Sequence, residues 1–592
     1  MATSQVRAVL FRILFLVVAV SETQSVPVYG RYETCVASQP SDYQNPFNYT
    51  EVTTQGVFSG PDGHTTVDGF YYQAYERSNV GGSEKLIPDG SPQWCVRYSP
   101  RSPGSFDVTF IITNSSGTFT MKTDSFEASD EKLAGFIKLG SNQVHFQFTN
   151  KSTYYPVGEN VCWVGENQGT YGYDDYFGKL AANGGNYARL WLTDSAWDDL
   201  AVEVKVGNMS LANTWRLDYV VKLAEKLNIH LLMCTESFNY FCTSSSGSKV
   251  VTCPSLIIII ILIFVFKAPC YWDQSYYNVA NGGFLTKPSN FFTDGRAKAD
   301  YKNRLRYLVA RYGYSTSVFA WEFFNEVDIC DDYNTAVQVE WNEEMSSYLR
   351  SLDVCNHLIS TSFSNSNGDQ TVQGLAALNF TMTHNYGSSD IAAATAQYAS
   401  KKQMMYKKPS YVAEFGIGDE DNDKAGVSLH NGLWAPLFAL GAGTSMSWWW
   451  DSWVDPNNLY PIFKPFSVFV SRLPLADYTW NVSDPTVSPA PPYNIRAWGM
   501  AGVGQGGQQL IVTWVQDDCF TWANQHSGVK CTSHSRLTLT TSCSGTSSGN
   551  YTGHWFNTHT GEDIGNTSVM CTGHLQDQIP TFSQDIAVYY TS

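Results

Sequence analysis

The stretch VFAWEFFNEVD, residues 318–328, decides the fold, because a short apolar run there ends in polar residues and carboxylates. A run of this length is typical of a buried strand in a parallel sheet. The stretch SYVAEFGIG, residues 410–418, has the same form and carries Glu414. We predict two parallel strands, with Glu326 and Glu414 at their carboxyl ends.

Strand and helix candidates alternate on both sides of these two stretches. The other strand candidates are YYPVGENVCWVG (154–165), NYARLWLTD (186–194), IHLLMCTES (229–237), HLISTSFS (357–364), NFTMTHNYG (379–387) and TSMSWWWDSW (444–453). The helix candidates are YFGKLAANGG (176–185), TWRLDYVVKLAEKLN (214–228), GRAKADYKNRLRYLVARYG (295–313), AVQVEWNEEMSSYLRSLD (336–353), IAAATAQYASKKQMMY (391–406) and LWAPLFALGAG (433–443). Eight strand candidates that alternate with helices predict an α/β fold, a (β/α)8 TIM barrel over residues 151–460.

The two flanks of the predicted barrel have a different pattern. Residues 26–150 and residues 477–592 contain short β-rich runs separated by glycine, proline and polar turns. This pattern is typical of β-sandwiches. We therefore predict three parts, with an N-terminal and a C-terminal β-sandwich on either side of the barrel.

Residues 243–267 do not fit the barrel pattern and form an anomalous insertion. Leu256–Phe266 is unbroken and apolar, yet shorter than the roughly 20 residues that cross a bilayer. A buried extra element, a segment absent from the mature protein and a membrane segment are all open, and the last fits least inside a barrel.

The N-terminus predicts secretion. Arg7 and Arg12 precede the apolar run Ile13–Val20, and small polar residues follow, so residues 1–25 read as a signal peptide. The sequence also contains eight glycosylation sequons, which suggest a glycoprotein: Asn48, Asn114, Asn150, Asn208, Asn379, Asn481, Asn550 and Asn566.

The composition excludes some classes of protein. Of 592 residues, 43% are hydrophobic, 15% are aromatic and 15% are charged, which is too apolar for a mostly disordered chain. Lys and Arg number 37 against 54 Asp and Glu, so the net charge is −17. Such a surface repels phosphate and argues against nucleic acid as a partner. We expect a carbohydrate partner and no membrane span, and the oligomeric state is open.

Thirteen cysteines in an oxidising compartment predict disulfide bonds with at least one thiol left over. We expect local pairs between Cys519 and Cys531 and between Cys543 and Cys571, and a buried free thiol at Cys162. Because no cysteine or histidine spacing matches a zinc site, we expect no metal and no cofactor.

Candidate site residues follow from the position of active sites in barrels, at the carboxyl ends of the strands. Paired carboxylates on two strands are what glycoside hydrolysis needs, one as proton donor and one as nucleophile or base. The residues at these strand ends are Arg189, Asn325, Glu326, His384, Tyr386, Glu414, Trp448, Trp449 and Trp450. Glu322 lies on the same strand candidate as Glu326 and is the alternative carboxylate.

These residues carry a resemblance to a known family. WEFFNEVD (321–328) and YVAEFGIG (411–418) in a (β/α)8 context resemble clan A retaining glycoside hydrolases, near the family 5 cellulase and mannanase group. The resemblance covers roughly residues 153–455. The strand-rich N-terminal region resembles the uncharacterised sandwich that precedes such barrels in some related proteins.

The resemblance implies roles for the strand-end residues. Glu326 is expected to be the general acid/base and Glu414 the nucleophile, kept ionised by Arg189 and Tyr386. Asn325 is expected to bind the sugar 2-hydroxyl.

The remaining candidates are expected to bind substrate. His384 lines the subsite, and one or more of Trp448, Trp449 and Trp450 stack on a pyranose ring. The expected function is a glycosidase that cleaves β-linked glycosides or polysaccharides of the mannan or glucan type. The alternative is an extracellular carbohydrate-binding or structural protein that has lost turnover on the same barrel.

Overall fold

The computed structural model of the chain describes residues 24–37, 43–193, 200–243, 269–489, 494–543 and 549–592. The predicted signal peptide lies outside these residues except for its last two positions, and the anomalous insertion lies outside them except for Thr243. No helix within the described ranges is both long and apolar enough to cross a bilayer.

The N-terminal region consists of β-strands. Its strands are β1 (Gln24–Val28), β2 (Tyr32–Ala37), β3 (Val52–Gly60), β4 (Gly63–Asp68), β5 (Phe70–Val80), β6 (Ser83–Tyr98), β7 (Gly104–Asn114), β8 (Gly117–Lys132), β9 (Ile137–Leu139), β10 (Phe146–Phe148) and β11 (Thr153–Tyr154). Sheets of order β1-β8-β7-β3-β4 and β2-β6-β5 enclose one apolar core. Along β3, buried and half-buried residues alternate, as expected where one face of a strand covers a core.

The central region alternates strands and helices. Its elements are β12 (Gly158–Asn160), α1 (Thr170–Ala182), β13 (Tyr187–Trp191), β14 (Glu203–Lys205), β15 (Asn208–Met209), α2 (Leu211–Leu227), β16 (His230–Cys234), α3 (Gly295–Tyr312), β17 (Val318–Glu322), α4 (Thr335–Leu352), β18 (Leu358–Ser360), α5 (Gln370–Gly374), β19 (Thr381–Tyr386), α6 (Ile391–Tyr406), β20 (Ser410–Gly416), α7 (Val427–Trp434) and α8 (Phe463–Val470). Helices α2, α3 and α4 begin where Ser210, Asp294 and Asn334 accept backbone N–H bonds as caps.

The central parallel strands are hydrogen-bonded in a succession that returns to its start. Strands β12, β13, β16, β17 and β18 pair in that order, and β19 pairs with β20. A backbone bond from Asn379 to Ile359 (2.8 Å) links β18 to β19. Ser447 then bridges Phe415 of β20 and Glu159 of β12. All of these strands therefore have their carboxyl ends on one side.

The strand predicted at residues 444–453 is wrong in its extent. Only Ser447 bridges its neighbours, and Trp450–Val454 form a turn of π-helix. The helix predicted at residues 433–443 is wrong in its bounds: α7 covers Val427–Trp434, and Pro436 lacks the N–H that would continue it.

The C-terminal region is again β-rich. Its elements are β21 (Tyr478–Ser483), β22 (Thr486–Ser488), β23 (Ile495–Gly504), β24 (Gln509–Asp517), α9 (Trp522–His526), β25 (Leu537–Ser542), β26 (Gly549–Phe556), β27 (Asp563–Cys571), β28 (His574–Ile579) and β29 (Asp585–Thr591). Sheets of order β21-β23-β24-β29-β26-β27 and β22-β25-β28 contribute to a shared core.

Four disulfides join described cysteines. Both predicted pairs, Cys519–Cys531 and Cys543–Cys571, are confirmed. Cys35–Cys95 joins the paired strands β2 and β6, and Cys242–Cys270 joins the two ends of the chain around the anomalous insertion. Cys162 is a buried free thiol, as predicted, and so are Cys234, Cys330 and Cys355.

Candidate active site

The two candidate glutamates lie at the carboxyl ends of β17 and β20, which are separated by β18 and β19 in the strand succession. Glu414 is in β20, and its side chain is 4% exposed. Glu326 follows β17 by four residues, and its side chain is 12% exposed. Its φ of 48° lies in the left-handed region, which costs an L-residue energy and is common at functional sites. A carboxylate oxygen of Glu326 lies within 4.8 Å of one of Glu414.

Arg189, in β13, forms ion pairs with both Glu414 and Glu322. Its guanidinium is fully buried and donates to Glu414 Oε1 through Nη1 (2.5 Å). The Nε and Nη2 atoms donate to the two oxygens of Glu322 at 2.7 and 2.8 Å. A buried arginine needs such paired acceptors to offset its lost hydration. Glu322, the alternative carboxylate, is therefore fully buried as the partner of Arg189.

His384 lies between the two glutamates. Its Nδ1 is 2.7 Å from Glu326 Oε1 and 3.3 Å from Glu414 Oε2. Burial lowers the pKa of His384, although the Glu414 carboxylate opposes this. The single Nδ1 atom of His384 therefore contacts both glutamates.

Tyr386 completes the contacts of Glu414. Its hydroxyl donates to Glu414 Oε2 at 2.5 Å, while the residue as a whole is 43% exposed. Each oxygen of Glu414 therefore accepts a hydrogen bond, one from Arg189 and one from Tyr386. Donors of this kind favour the ionised form of a carboxyl.

The two glutamates differ in their electrostatic surroundings. Burial raises the pKa of Glu326 to about 8, and the Asp328 carboxylate adds to the rise. Burial also raises the pKa of Glu414, but His384 and Arg189 oppose the rise. The surroundings therefore keep Glu326 protonated up to about pH 8, whereas the charges of His384 and Arg189 limit the rise in the pKa of Glu414.

Asn325 lies beside the glutamates, but both polar atoms of its side-chain amide bond to other side chains of the protein. Its Oδ1 accepts from Arg189 Nη2 at 2.8 Å, and its Nδ2 donates to Ser237 Oγ at 3.2 Å. The residue is 1% exposed.

The three consecutive tryptophans differ in exposure. Trp448 and Trp449 are half-buried, whereas Trp450 is fully buried and donates from Nε1 to the carbonyl of Trp163 at 3.2 Å. Only Trp448 and Trp449 therefore keep ring surface that a ligand could reach.

Trp163 and Trp191 were missed by the sequence analysis. The ring centroid of Trp448 lies 5.4 Å from that of Trp163 and 5.3 Å from that of Trp191. Trp163 Nε1 donates to Asp451 at 3.1 Å. Both missed tryptophans lie near the carboxyl ends of strand candidates, so the strand-end rule that selected Arg189 could also have found them.

Two groups of described residues have ligand atoms close enough to hold a cation: Glu326, His384 and Glu414, and His430, His559 and Asp585. In the second group the imidazole rings are stacked at 4.4 Å with an interplanar angle of 4°. A single metal could not lie in both ring planes, so this geometry suits hydrogen bonding to Asp585 instead. In the first group the short contacts are hydrogen bonds of the kind that acid–base catalysis uses.

The family comparison matches the N-terminal region. The model of a domain of unknown function, DUF5060, matches residues 25–112. These residues include β2 to β6 and most of β7.

Two curated fungal enzymes are similar in sequence. Mannan endo-1,4-beta-mannosidase A of Aspergillus aculeatus is 28% identical over 226 residues, which cover 36% of this chain and 51% of that enzyme. Mannan endo-1,4-beta-mannosidase F of Aspergillus clavatus is 25% identical over 359 residues, covering 54% and 73%. The chain thus spans about half the length of the first of these relatives.

One solved structure matches nearly the whole chain. It is described as a "putative glycoside hydrolase" from Bacteroides vulgatus, with a TM-score of 0.60 at 9% identity, and it covers 96% of this chain and 100% of that one. At this identity the match shows a shared fold. The chain is thus similar in sequence to fungal mannan endo-1,4-beta-mannosidases and has an additional N-terminal region that matches DUF5060.

Proposed function

We propose that this protein is a secreted glycosidase that cleaves β-linked glycosides or polysaccharides of the mannan or glucan type with retention of configuration. One observation carries the proposal: carboxylate oxygens of Glu326 and Glu414 lie within 4.8 Å of one another, around a buried histidine. Retaining glycosidases have carboxyl groups about 5–5.5 Å apart, whereas inverting enzymes need about 6.5–9.5 Å to admit a water molecule.

Glu414 acts as the nucleophile. Hydrogen bonds from Arg189 and Tyr386 orient its two oxygens and favour the ionised form. It attacks the anomeric carbon, forming a glycosyl-enzyme ester while the bond to the leaving oxygen breaks.

Glu326 acts first as acid and then as base. Its raised pKa keeps a proton available for the leaving oxygen. After the first product leaves, the ionised Glu326 takes a proton from water, which attacks the anomeric carbon and releases Glu414. His384 bonds to Glu326 through Nδ1 and holds it in this position.

The strand succession supports a (β/α)8 barrel as the catalytic part. The backbone links through Asn379 and Ser447 close the order of parallel strands, and the candidate site lies at their carboxyl ends, where barrel enzymes carry their chemistry. The two sheets on each flank, each pair around its own core, support the N-terminal and C-terminal β-sandwiches.

The sequence similarity to two fungal mannan endo-1,4-beta-mannosidases favours a mannan-type substrate. The disulfides favour secretion. Half-buried tryptophan rings beside the site suit the apolar faces of pyranose rings. Four disulfides form and persist in an oxidising compartment, consistent with the signal peptide predicted at residues 1–25.

The roles of the two glutamates are tested by removing each one. Glu414→Ala should lower turnover of all substrates by several orders of magnitude, and azide should then give a glycosyl azide of inverted configuration. Glu326→Ala should mainly impair substrates with poor leaving groups, by roughly 10²–10⁴-fold, and azide should then give a retained product from an activated aryl glycoside.

Wild-type product of inverted configuration, or two variants that respond alike, would contradict these roles. A wild-type protein that binds β-mannan and β-glucan but hydrolyses neither would support the non-catalytic binding protein instead. The matched control is Glu340→Ala, which removes an exposed carboxylate from α4.

A further inference from the structure

The hairpin formed by β5 and β6 buries one carboxylate in an otherwise exposed arm. Beyond Gln73 its outer half consists mostly of exposed or half-buried residues, and Gly81 and Gly82 form the turn with φ of 63° and 89°. Glu84, the second residue after this turn, is 8% exposed. Charged side chains are seldom buried unless they are paired, so Glu84 has a specific partner.

That partner is the start of helix α1. Glu84 Oε1 accepts from the backbone N–H of Thr170 (2.9 Å) and from its Oγ1 (2.5 Å), and Oε2 accepts from Arg216 Nε (2.6 Å). The cap residue of α1 is Gly169, which has no side chain to cap the helix. Glu84 therefore supplies the cap from a distant part of the chain, and its charge faces the positive end of the helix dipole.

A second side chain of the hairpin, Arg77, contacts the same helix. Arg77 donates from Nη1 to Thr170 Oγ1 at 2.7 Å and forms an ion pair with Asp174 at 2.9 Å. Its guanidinium also lies 4.2 Å from the ring centroid of Tyr171 and 3.9 Å from that of Tyr219. Glu84 and Arg77, which carry opposite charges and both bond to Thr170, thus fix the hairpin to the first turn of α1.

Residues 161–169 form the segment before α1 and connect the contacts of Glu84 and Arg77 with the active site. The N–H of Glu84 also donates to the carbonyl of Asn167 within it, at 2.8 Å. The same segment carries Trp163, whose ring contacts Trp191, Trp448 and Trp450 and whose Nε1 bonds to Asp451.

We propose that the β5–β6 hairpin is a positioning element that holds the Trp163 segment as one side of a sugar-binding subsite. The half-buried rings of Trp163 and Trp448 would pack on a sugar ring of a long β-linked glycan, and Asp451 would accept its hydroxyl groups. Glu84 is a positioning residue, because it acts through Thr170 and Asn167. This inference rests on the proposed function and gives the DUF5060-type region a role in binding the substrate.

The test is Glu84→Ala, compared with Glu76→Ala as control, because Glu76 is an exposed glutamate on the same hairpin. With a long β-1,4-manno-oligosaccharide, KM of Glu84→Ala should rise about fivefold, the effect of one lost capping interaction. With a short activated aryl mannoside, which does not reach the subsite, kcat and KM should be unchanged. Glu84→Gln keeps an acceptor for Thr170 and should recover part of the loss.

Trp163→Ala should raise the same KM, and the double variant should be no worse than Trp163→Ala alone, because both changes affect one subsite. Equal KM values for Glu84→Ala and wild type, or an equal loss with both substrates, would overturn the inference. Calorimetric binding of the oligosaccharide tests the inference separately from catalysis. Wild type without turnover would contradict only the proposed function, while equal affinities of wild type and Glu84→Ala would contradict only the inference.

Discussion

Two glutamates of the same chemistry are set apart by their neighbours. Glu414 receives a hydrogen bond on each oxygen, from Arg189 and from Tyr386. Glu326 contacts His384, and its burial, together with the nearby Asp328 carboxylate, raises its pKa. The same residue type can therefore act as nucleophile in one position and as proton donor in the other.

Activity should fall as pH rises through about 8. Because the pKa of Glu326 is raised to about 8, the acid is protonated below that pH and loses its proton above it. Hydrolysis of an unactivated glycoside needs this proton, whereas cleavage of an activated aryl glycoside needs it much less. The measurement is kcat/KM against pH for both substrates, and a basic limb at the same pH for both would contradict the assignment.

The same shift makes the fold sensitive to pH. Between the ordinary glutamate pKa of 4.5 and about 8, the unfolded chain has lost a proton that folded Glu326 keeps. This contribution to stability is therefore present below pH 4.5 and is lost as pH rises towards 8. Glu326→Gln should gain Tm relative to wild type over this window, which thermal melts at pH 5 and pH 8 would measure.

At the scale of residues, the sequence located most of the candidate site but not its surroundings. Glu326, Glu414, His384, Tyr386 and Arg189 come together, as the strand-end rule predicts. The pairing of Arg189 with Glu322 was not predictable, because it depends on which side chains point inward. Sequence position also could not show that Trp450 is buried while Trp448 is not, since that depends on the helical turn after Ser447.

At the scale of elements, regular segments were predictable and irregular ones were not. Long amphipathic helices such as α3 and buried strands such as β20 have a pattern that depends on few neighbours. The aromatic run at residues 444–453 has high strand propensity, yet tertiary contacts leave Ser447 as a single bridge. Cys35–Cys95 is likewise a contact between paired strands far apart in sequence, which spacing does not specify.

Strand β12 tolerates no added side-chain atom at Gly158. A Cβ there would lie 2.0 Å from the carbonyl oxygen of Tyr187 in β13. Since β12 is also bonded to Ser447 on its other side, it cannot move away, and Gly158→Ala should destabilise the protein by about 1–3 kcal/mol. Chemical denaturation measures this loss.

Gly178 in α1 provides the matched control for that change. A Cβ at Gly178 would meet nothing within 4 Å, and alanine is a better helix former than glycine. Gly178→Ala should leave stability unchanged or raise it by up to about 1 kcal/mol. Equal losses from the two variants would show that the contact with Tyr187 does not cause the effect and would contradict the prediction.

At the scale of the whole molecule, the anomalous insertion should be dispensable. Cys242 and Cys270 form a disulfide with a Cα–Cα distance of 5.2 Å, so the chain leaves and returns at one place. Deleting residues 247–267 keeps both cysteines and should leave a folded, secreted protein with unchanged kcat. Loss of secretion from the deleted chain, while the intact chain is exported and stable, would contradict this.

Reduction should unfold the C-terminal region before the central one. Cys519–Cys531 and Cys543–Cys571 lie in the C-terminal region, and each such bond contributes typically about 2–4 kcal/mol. The larger core of the central region depends less on its single described disulfide. Limited proteolysis with increasing reductant, followed by mass mapping, should find the first cuts after residue 477, and first cuts between residues 300 and 416 would contradict the order.

The link through Ser447 determines when β12 can complete its pairing during synthesis of the chain. The backbone bond from Asn160 to Ser447 joins residues far apart in the chain, so β12 keeps an unpaired edge until residue 447 has left the ribosome. Contacts of such long range slow folding, and an unpaired strand edge can pair with another chain. A nascent chain arrested before residue 447 would therefore present an open edge to chaperones.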